Sequence, residues 1–371
     1  MKRFILSLPI FVTLWLQAFS VQGTISAGHE DVVSHSQDTA QHHKKTFNAS
    51  DFIFDHIGDS HDWHIATIGK AHISIPLPVI LYSRTRNQVY CFWSSKFHHG
   101  HEPYKGFQLM LEGAKKGKIV ELDAEGNILG KLPLDFSIKK NVAAIFFSII
   151  LMCFIFISVA KRYQKNPTSA PSGLQNVVEL IIIFIRDDVA IPSIGEKKYI
   201  HFMPFLLTIF FFIWINNMLG LIPIFPAGAN VTGNIAVTMA LALFSFFTIS
   251  INGNKQYWKH IINAPGVPMF LKLPIPIMPF VEIMGVIIKP FVLMVRLFAN
   301  ILAGHIVAMV LFALIFIFAG INIYFGYAIS TISILLSIFM TLLELLVAFI
   351  QAYVFTILTA IFIGMSTAEH H

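Results

Sequence analysis

Charged side chains are scarce in the second half of this chain, so the few that interrupt its apolar runs are where chemistry can be done. Glu282, Lys289, Arg296 and Glu344 are those charges, with His305, Asn300 and Gln351 as uncharged polar companions. A charge at the centre of a bilayer costs about 2.5–3.5 kcal/mol on insertion scales, and residues that bear that cost are usually functional. Lys289 stands just before Pro290, where its stem can snorkel to the membrane surface, and Glu282 falls near the same surface. Arg296 and Glu344 have no such escape.

A guanidinium stays protonated even in an apolar setting, so Arg296 can hold a carboxylate ionised but cannot itself release a proton. Asn300 falls one turn later on the same helical face, and Ala299, Ala303 and Gly304 let another helix approach closely. His305 is nine residues past Arg296, about 13 Å further along by helical rise. A histidine and a carboxylate both titrate within reach of neutral pH, which suits His305 and Glu344 to a proton relay. Gln351 is two turns past Glu344 on the same face. The structural alternatives are an arginine–glutamate pair that locks two helices, and packing hydrogen bonds at His305 and Glu344.

The elements that must hold these residues are long. Phe291 to Ala319 contains no proline and is helix-compatible throughout, roughly 43 Å at 1.5 Å per residue. Tyr327 to Met365 is longer, roughly 58 Å. A bilayer core of about 30 Å needs only about 20 residues. Both helices must therefore tilt heavily, joined by a short turn around Gly320 to Gly326.

Composition agrees. Of 371 residues 56% are hydrophobic and only 12% charged, and no Asp, Glu, Lys or Arg occurs from Tyr199 to Asn254 or from Leu297 to Leu343. Stretches of that kind are membrane spans rather than the surface of a soluble domain. Earlier spans are expected at Asn141 to Ala160, Ile200 to Leu221 and Ile235 to Ile251, with an amphipathic segment from Gln175 to Ile185 and a polar connector from Arg186 to Lys198. Fifteen of the 26 Lys and Arg lie before Asn141 and most others flank spans, so the net charge of +6 describes topology, not a nucleic-acid face. Lys161, Arg162 and Lys165 mark the cytoplasmic side, as do Lys255, Lys259 and Lys272. The fold expected is an all-α integral membrane protein of about five transmembrane helices. The last two form a long, steeply tilted antiparallel hairpin.

Residues 1–20 combine Lys2 and Arg3 with an apolar run and small residues at Ala18 and Ser20, as a signal peptide does. Residues 21–140 form a polar, exported region holding eleven of the sixteen histidines, among them His42-His43 and His98-His99-Gly100-His101. No Cys or carboxylate spacing accompanies them, so solvated loops are favoured over a metal site. Lys118 to Leu122 and Ile128 to Leu132 resemble a small β-hairpin across Glu125-Gly126-Asn127. Cys91 and Cys153 lie in different environments and do not form a pair.

The run Lys289-Pro-Phe-Val-Leu-Met-Val-Arg296-Leu-Phe-Ala-Asn300-Ile-Leu-Ala-Gly304-His305 resembles the signature helix of ATP synthase subunit a. Glu344, Gln351-Ala-Tyr-Val-Phe, Thr232-Gly-Asn234, Glu179-Leu180 and Asn216-Asn217-Met-Leu-Gly-Leu221 are similar to the same family, over about residues 141–371. The resemblance implies that Arg296 is the stator arginine facing a rotor ring of c subunits, with Asn300 and Gln351 as polar neighbours. Glu282, Lys289 and Asn234 are possible accessories. Members often carry Glu where this chain has His305 and His where it has Glu344; the swap keeps one imidazole and one carboxylate. Further implied partners are peripheral-stalk b subunits, the remaining synthase subunits and the lipid of a bacterial inner membrane, with the amino terminus outside and the carboxy terminus in the cytoplasm. No cofactor and no nucleic acid is called for. The chain has no catalytic nucleophile or phosphate loop, so it is expected to be a non-catalytic proton-channel subunit. A self-contained secondary transporter or channel would show matched broken halves, and a haem or metal protein paired intramembrane histidines; neither pattern is seen.

Overall fold

The computed structural model describes residues 58–368, except 69–70, 112, 114, 124, 166–169, 223–226 and 263–276. The expected signal peptide, the His42-His43 pair, Lys272 and the last three residues lie outside the described residues.

Among the described residues, short strands precede the helices: β1 (Asp62–Ile68), β2 (Ala71–Pro76), β3 (Pro78–Ser83), β4 (Gln88–Trp93), β5 (Phe107–Leu109), β6 (Ile119–Glu121) and β7 (Leu134–Asp135). All pair antiparallel, as a β1–β2 hairpin, a β4–β3–β7 sheet and a β5–β6 pair. Alternation along β3 turns Val79 and Leu81 into a small core with Phe92, Phe97, Phe107 and Ile119. Phe92 meets Phe97 edge to face at 5.2 Å between ring centres. Buried Glu121 is held by the Ser83 hydroxyl at 2.8 Å and by Arg86 Nε at 3.2 Å, which keeps a carboxylate tolerable inside so small a domain.

The hairpin expected across Glu125-Gly126-Asn127 is only partly formed. Its turn is there, with Asp123 Oδ1 accepting the Glu125 and Asn127 amides, but β6 takes β5 as its ladder partner. The returning arm pairs through one bridge, Leu122 with Ile128, and one further bond, Leu129 amide to Glu121 carbonyl. Gly130 and Pro133 deny that arm the continuity of a strand.

The helices are α1 (Lys140–Lys165), α2 (Leu174–Phe184), α3 (Ile191–Ile194), α4 (Tyr199–Leu221), α5 (Ile235–Ile251), α6 (Lys255–Ile262), α7 (Ile277–Ile321) and α8 (Ile323–Thr367). The five spans expected from the sequence fall on α1, α4, α5, α7 and α8; among the described residues α1, α4, α7 and α8 are long and apolar enough to cross a membrane, while α5, at 17 residues, is a shorter apolar helix, and the chain is a multi-pass membrane protein. Asp59 Oδ1 accepts the Asn141 amide at 3.1 Å at the start of α1. Burial pushes the Asp59 carboxyl up, against the lowering effects of that amide bond and of Lys139. Neighbouring Asp135 also suffers burial, but the His61 hydrogen bond, the Lys139 charge and Ser137 together hold its carboxyl well below the usual range.

The connector expected from Arg186 to Lys198 is helical in its first half. A π-helical segment, Ile185–Ala190, continues α2 into α3. Its wider turn exposes Arg186, Asp187 and Asp188 together while Ile185, Val189 and Ala190 stay buried.

Two further expectations need correction. α7 does not start at Pro290; it runs for 45 residues straight through it. Proline removes one backbone bond, here to the Val286 carbonyl, but the turns on both sides are apolar and unbroken, so the ladder resumes. Nor does the chain reverse over Gly320 to Gly326: the helices are interrupted at Asn322 alone, whose Oδ1 accepts the Tyr324 amide at 3.0 Å. The bend is that tight because Gly326 abuts Ala319, whose Cα is 2.9 Å from where a Cβ would stand. At 45 residues each, α7 and α8 are about 67 Å long, twice a bilayer core, so steep inclination remains the consequence.

The membrane core is built around α4, where Leu206, Ile209, Phe210 and Ile213 are fully buried. The second half of α8 packs here through Ala348, Ala352, Phe355, Thr359 and Ile363, one face at helical spacing. Phe349 lies edge-on to Phe210 and Trp214, with ring centres at 5.6 and 5.8 Å. The last α8 carbonyls are satisfied from outside the helix: Thr367 accepts Lys198 Nζ and Asn254 Nδ2, both at 2.8 Å, and Ser366 accepts the Asn254 amide at 2.9 Å.

Candidate functional site

α7 shows two faces around Arg296. Leu293, Met294 and Leu297 are buried, while Val292, Val295, Arg296, Ala299, Asn300 and Ala303 are exposed. The spacing of three and four residues makes the second set one stripe along the helix. Small residues flank the guanidinium, so the stripe is a shallow surface with one cation and one carboxamide on it. Among the described residues Arg296 makes no hydrogen bond or ion pair, and Glu344 makes none either. The alternative in which Arg296 and Glu344 lock two helices is therefore not what the structure shows.

The remaining candidates are distributed over both long helices and the start of α5. His305 on α7 and Glu344 on α8 are half-buried. Gln351 is buried, on the α8 face that packs into the core. Lys289 Nζ stands over the Phe362 ring at 5.1 Å, a cation–π contact between the first half of α7 and the last turns of α8. Glu282 is half-buried on the preceding turns of α7. Asn234 serves the fold directly, since its Oδ1 accepts the Ala236 amide at 3.0 Å and caps α5.

The family model described as ATP synthase A chain matches residues 142–364, which takes in every one of these side chains. The chain belongs to the ATP synthase A chain family. Among similar proteins, ATP synthase subunit a of Chloroherpeton thalassium is 42% identical over 241 residues, 63% of this chain and 68% of that protein. ATP synthase subunit a 2 of Chlorobium luteolum is 39% identical over 282 residues, covering 73% of this chain and 78% of that one. ATP synthase subunit a of Myxococcus xanthus is 41% identical over 244 residues, 64% and 75% of the two chains. A separate model, a domain of unknown function (DUF8433), matches residues 52–136. The two matches meet where β7 gives way to α1.

Within this ATP synthase A chain, the sequence reading passed over the chemistry of one polar cluster in the core. Asn217 Nδ2 donates to the Ala348 carbonyl at 3.2 Å, and its Oδ1 accepts the Thr232 hydroxyl at 2.5 Å. Asn217 and Thr232 are buried, and so is neighbouring Asn216, whose Oδ1 has no partner among the described residues. Paired asparagines in an otherwise apolar span were the available signal. A carboxamide in such a span has no water to satisfy it, so it must bond another helix or line a wet cavity.

Proposed function

We propose that this chain is the proton-translocating stator subunit of a rotary ATP synthase in a bacterial inner membrane. The observation that carries the reading is the exposed Arg296 on its small-residue stripe, without a counter-charge among the described residues. A permanent cation at that depth cannot face hydrocarbon, so its partner comes from another subunit. A carboxylate carried past it by a rotor ring of c subunits fits the requirement.

Protons enter from the outer side through an aqueous half-channel lined by Glu344 and His305 and neutralise a ring carboxylate. Uncharged, that carboxylate turns into lipid. After nearly a full rotation it meets the second half-channel, releases its proton to the cytoplasm and pairs transiently with Arg296. Arg296 separates the two half-channels and blocks a direct leak. Asn300, on the same stripe, and Gln351 supply polar neighbours to the path. Peripheral-stalk b subunits hold the stator still, and ATP chemistry belongs to the soluble partners.

The relay is tested by exchanging its ends. ATP-driven proton pumping in inverted vesicles is measured for His305→Glu, Glu344→His and the double exchange. Each single change leaves two like groups in the relay, two carboxylates sharing one charge or two imidazoles without a counter-ion. The double exchange is expected to pump faster than either single variant, a positive coupling in the cycle. If its rate is the product of the two single defects, His305 and Glu344 act independently.

Topology has its own test. In a background lacking Cys91 and Cys153, Ser95→Cys in the exported region is expected to react with an impermeant maleimide in intact cells. Ser172→Cys, just before α2, is expected to react only after the membrane is opened. Both positions are exposed, whereas Ser94 is buried and hydrogen-bonded to Asp62 and would report nothing. Equal labelling of the two would contradict an outside amino terminus with five spans.

A further inference from the structure

The outer face of the β4–β3–β7 sheet is apolar and, among the described residues, uncovered. Residues directly opposite one another in an antiparallel ladder share a face, and β3 pairs Ile80 with Cys91, Tyr82 with Val89 and Pro78 with Trp93. β7 adds Leu134 opposite Tyr82, and Phe136 follows on the same side, its amide bonded to the Ile80 carbonyl at 2.9 Å. None of these residues is charged. Val89 is 66% exposed, Trp93 57% and Phe136 45%, and Cys91 is also exposed. The opposite face, with Val79, Leu81 and Phe92, is the domain core. A two-sided apolar sheet in a domain this small marks an interaction surface.

Its place in the chain says what the surface meets. Phe136 is four residues from Lys140, where α1 begins, so at most ~14 Å of extended backbone separates the sheet from the membrane span. The tether is shorter still in effect, because the Lys140 amide bonds the Ser60 carbonyl and the Asn141 amide bonds Asp59, docking the start of α1 onto the domain. Trp and Tyr with an uncharged apolar surround are the composition of membrane–water interfaces. We propose that the outer face of the β4–β3–β7 sheet rests on the headgroup layer of the leaflet at which α1 begins. The exported domain is then held flat against the membrane.

Cys91 lies on this face, midway along the edge strand β4, and provides the probe. A nitroxide is attached to Cys91 in the full chain carrying Cys153→Ala, reconstituted in lipid nanodiscs. Collision with oxygen and with a water-soluble nickel chelate is compared with a nitroxide at Glu125→Cys, in the exposed turn after β6 and off this sheet. The expected result at Cys91 is a several-fold lower collision rate with the nickel chelate and an equal or higher rate with oxygen. Nickel accessibility matching the turn would overturn the proposal, since the face would then lie in water. Low accessibility to both reagents would also overturn it, since protein rather than lipid would cover the sheet.

Discussion

Replacing Arg296 by alanine is expected to abolish ATP-driven proton pumping in inverted vesicles while leaving the subunit inserted and assembled with its partners. Arg296 is exposed and makes no hydrogen bond or ion pair among the described residues, so truncating it removes no internal contact of the fold. On the proposed mechanism, what it removes is the charge that lowers a carboxylate's pKa where the proton must leave and that bars direct passage between the half-channels. Arg296→Lys is not expected to restore function, because an ammonium is a compact, strongly hydrated charge that lacks the planar fork. Near-normal coupled pumping by Arg296→Ala would remove the basis for the proposed mechanism.

The second large effect is expected far from any proton path, at Gly364. This residue lies in the last turns of α8, where an added Cβ would overlap the Ser193 carbonyl oxygen and stand 3.0 Å from the Ser193 carbonyl carbon. Both partners are backbone, so no side-chain rotation can relieve the overlap. Overpacking a core commonly costs about 1–3 kcal/mol, and a clash with fixed backbone belongs at or beyond the upper end. Gly364→Val is therefore expected to strip the end of α8 from the turn after the π-helical segment. With it would go the Lys198 and Asn254 bonds to the Thr367 carbonyl. A much lower thermal midpoint and a reduced amount of folded subunit in the membrane are the readouts. A wild-type melting curve would show that the region relaxes more freely than its geometry indicates.

Gly364 also shows where sequence reasoning stops. The spans were legible because hydropathy acts residue by residue: α5 was bounded at Ile235 and Ile251, where the structure bounds it. Arg296 was legible for the same reason, as a charge where none is tolerated without purpose. What the sequence did not display are effects that depend on a neighbour's position. A glycine in a helix looks alike whether it faces lipid or a carbonyl, and only the fold distinguishes Gly364. Pro290 reads as a boundary on local rules, yet an apolar environment with no competing water lets the helix pass through it. The Asn322 corner was hidden because two glycines nearby advertised a longer loop, while Gly326 served to admit Ala319 instead. For the proposed site, the sequence singled out residues by type but did not display their surroundings: Gln351 is buried, Asn234 caps a helix and Asn217 bridges to α8.

The stripe around Arg296 also bears on the subunit's life before assembly. Newly inserted, the chain presents to lipid a cation that its own helices do not cover. An uncapped charge at that depth draws water and headgroups inward and thins the bilayer around it. On the proposed mechanism, burying the stripe against the ring removes that defect. The arginine that meters protons in the finished complex, on the same mechanism, is thus also the residue that most disturbs the bilayer until a partner covers it.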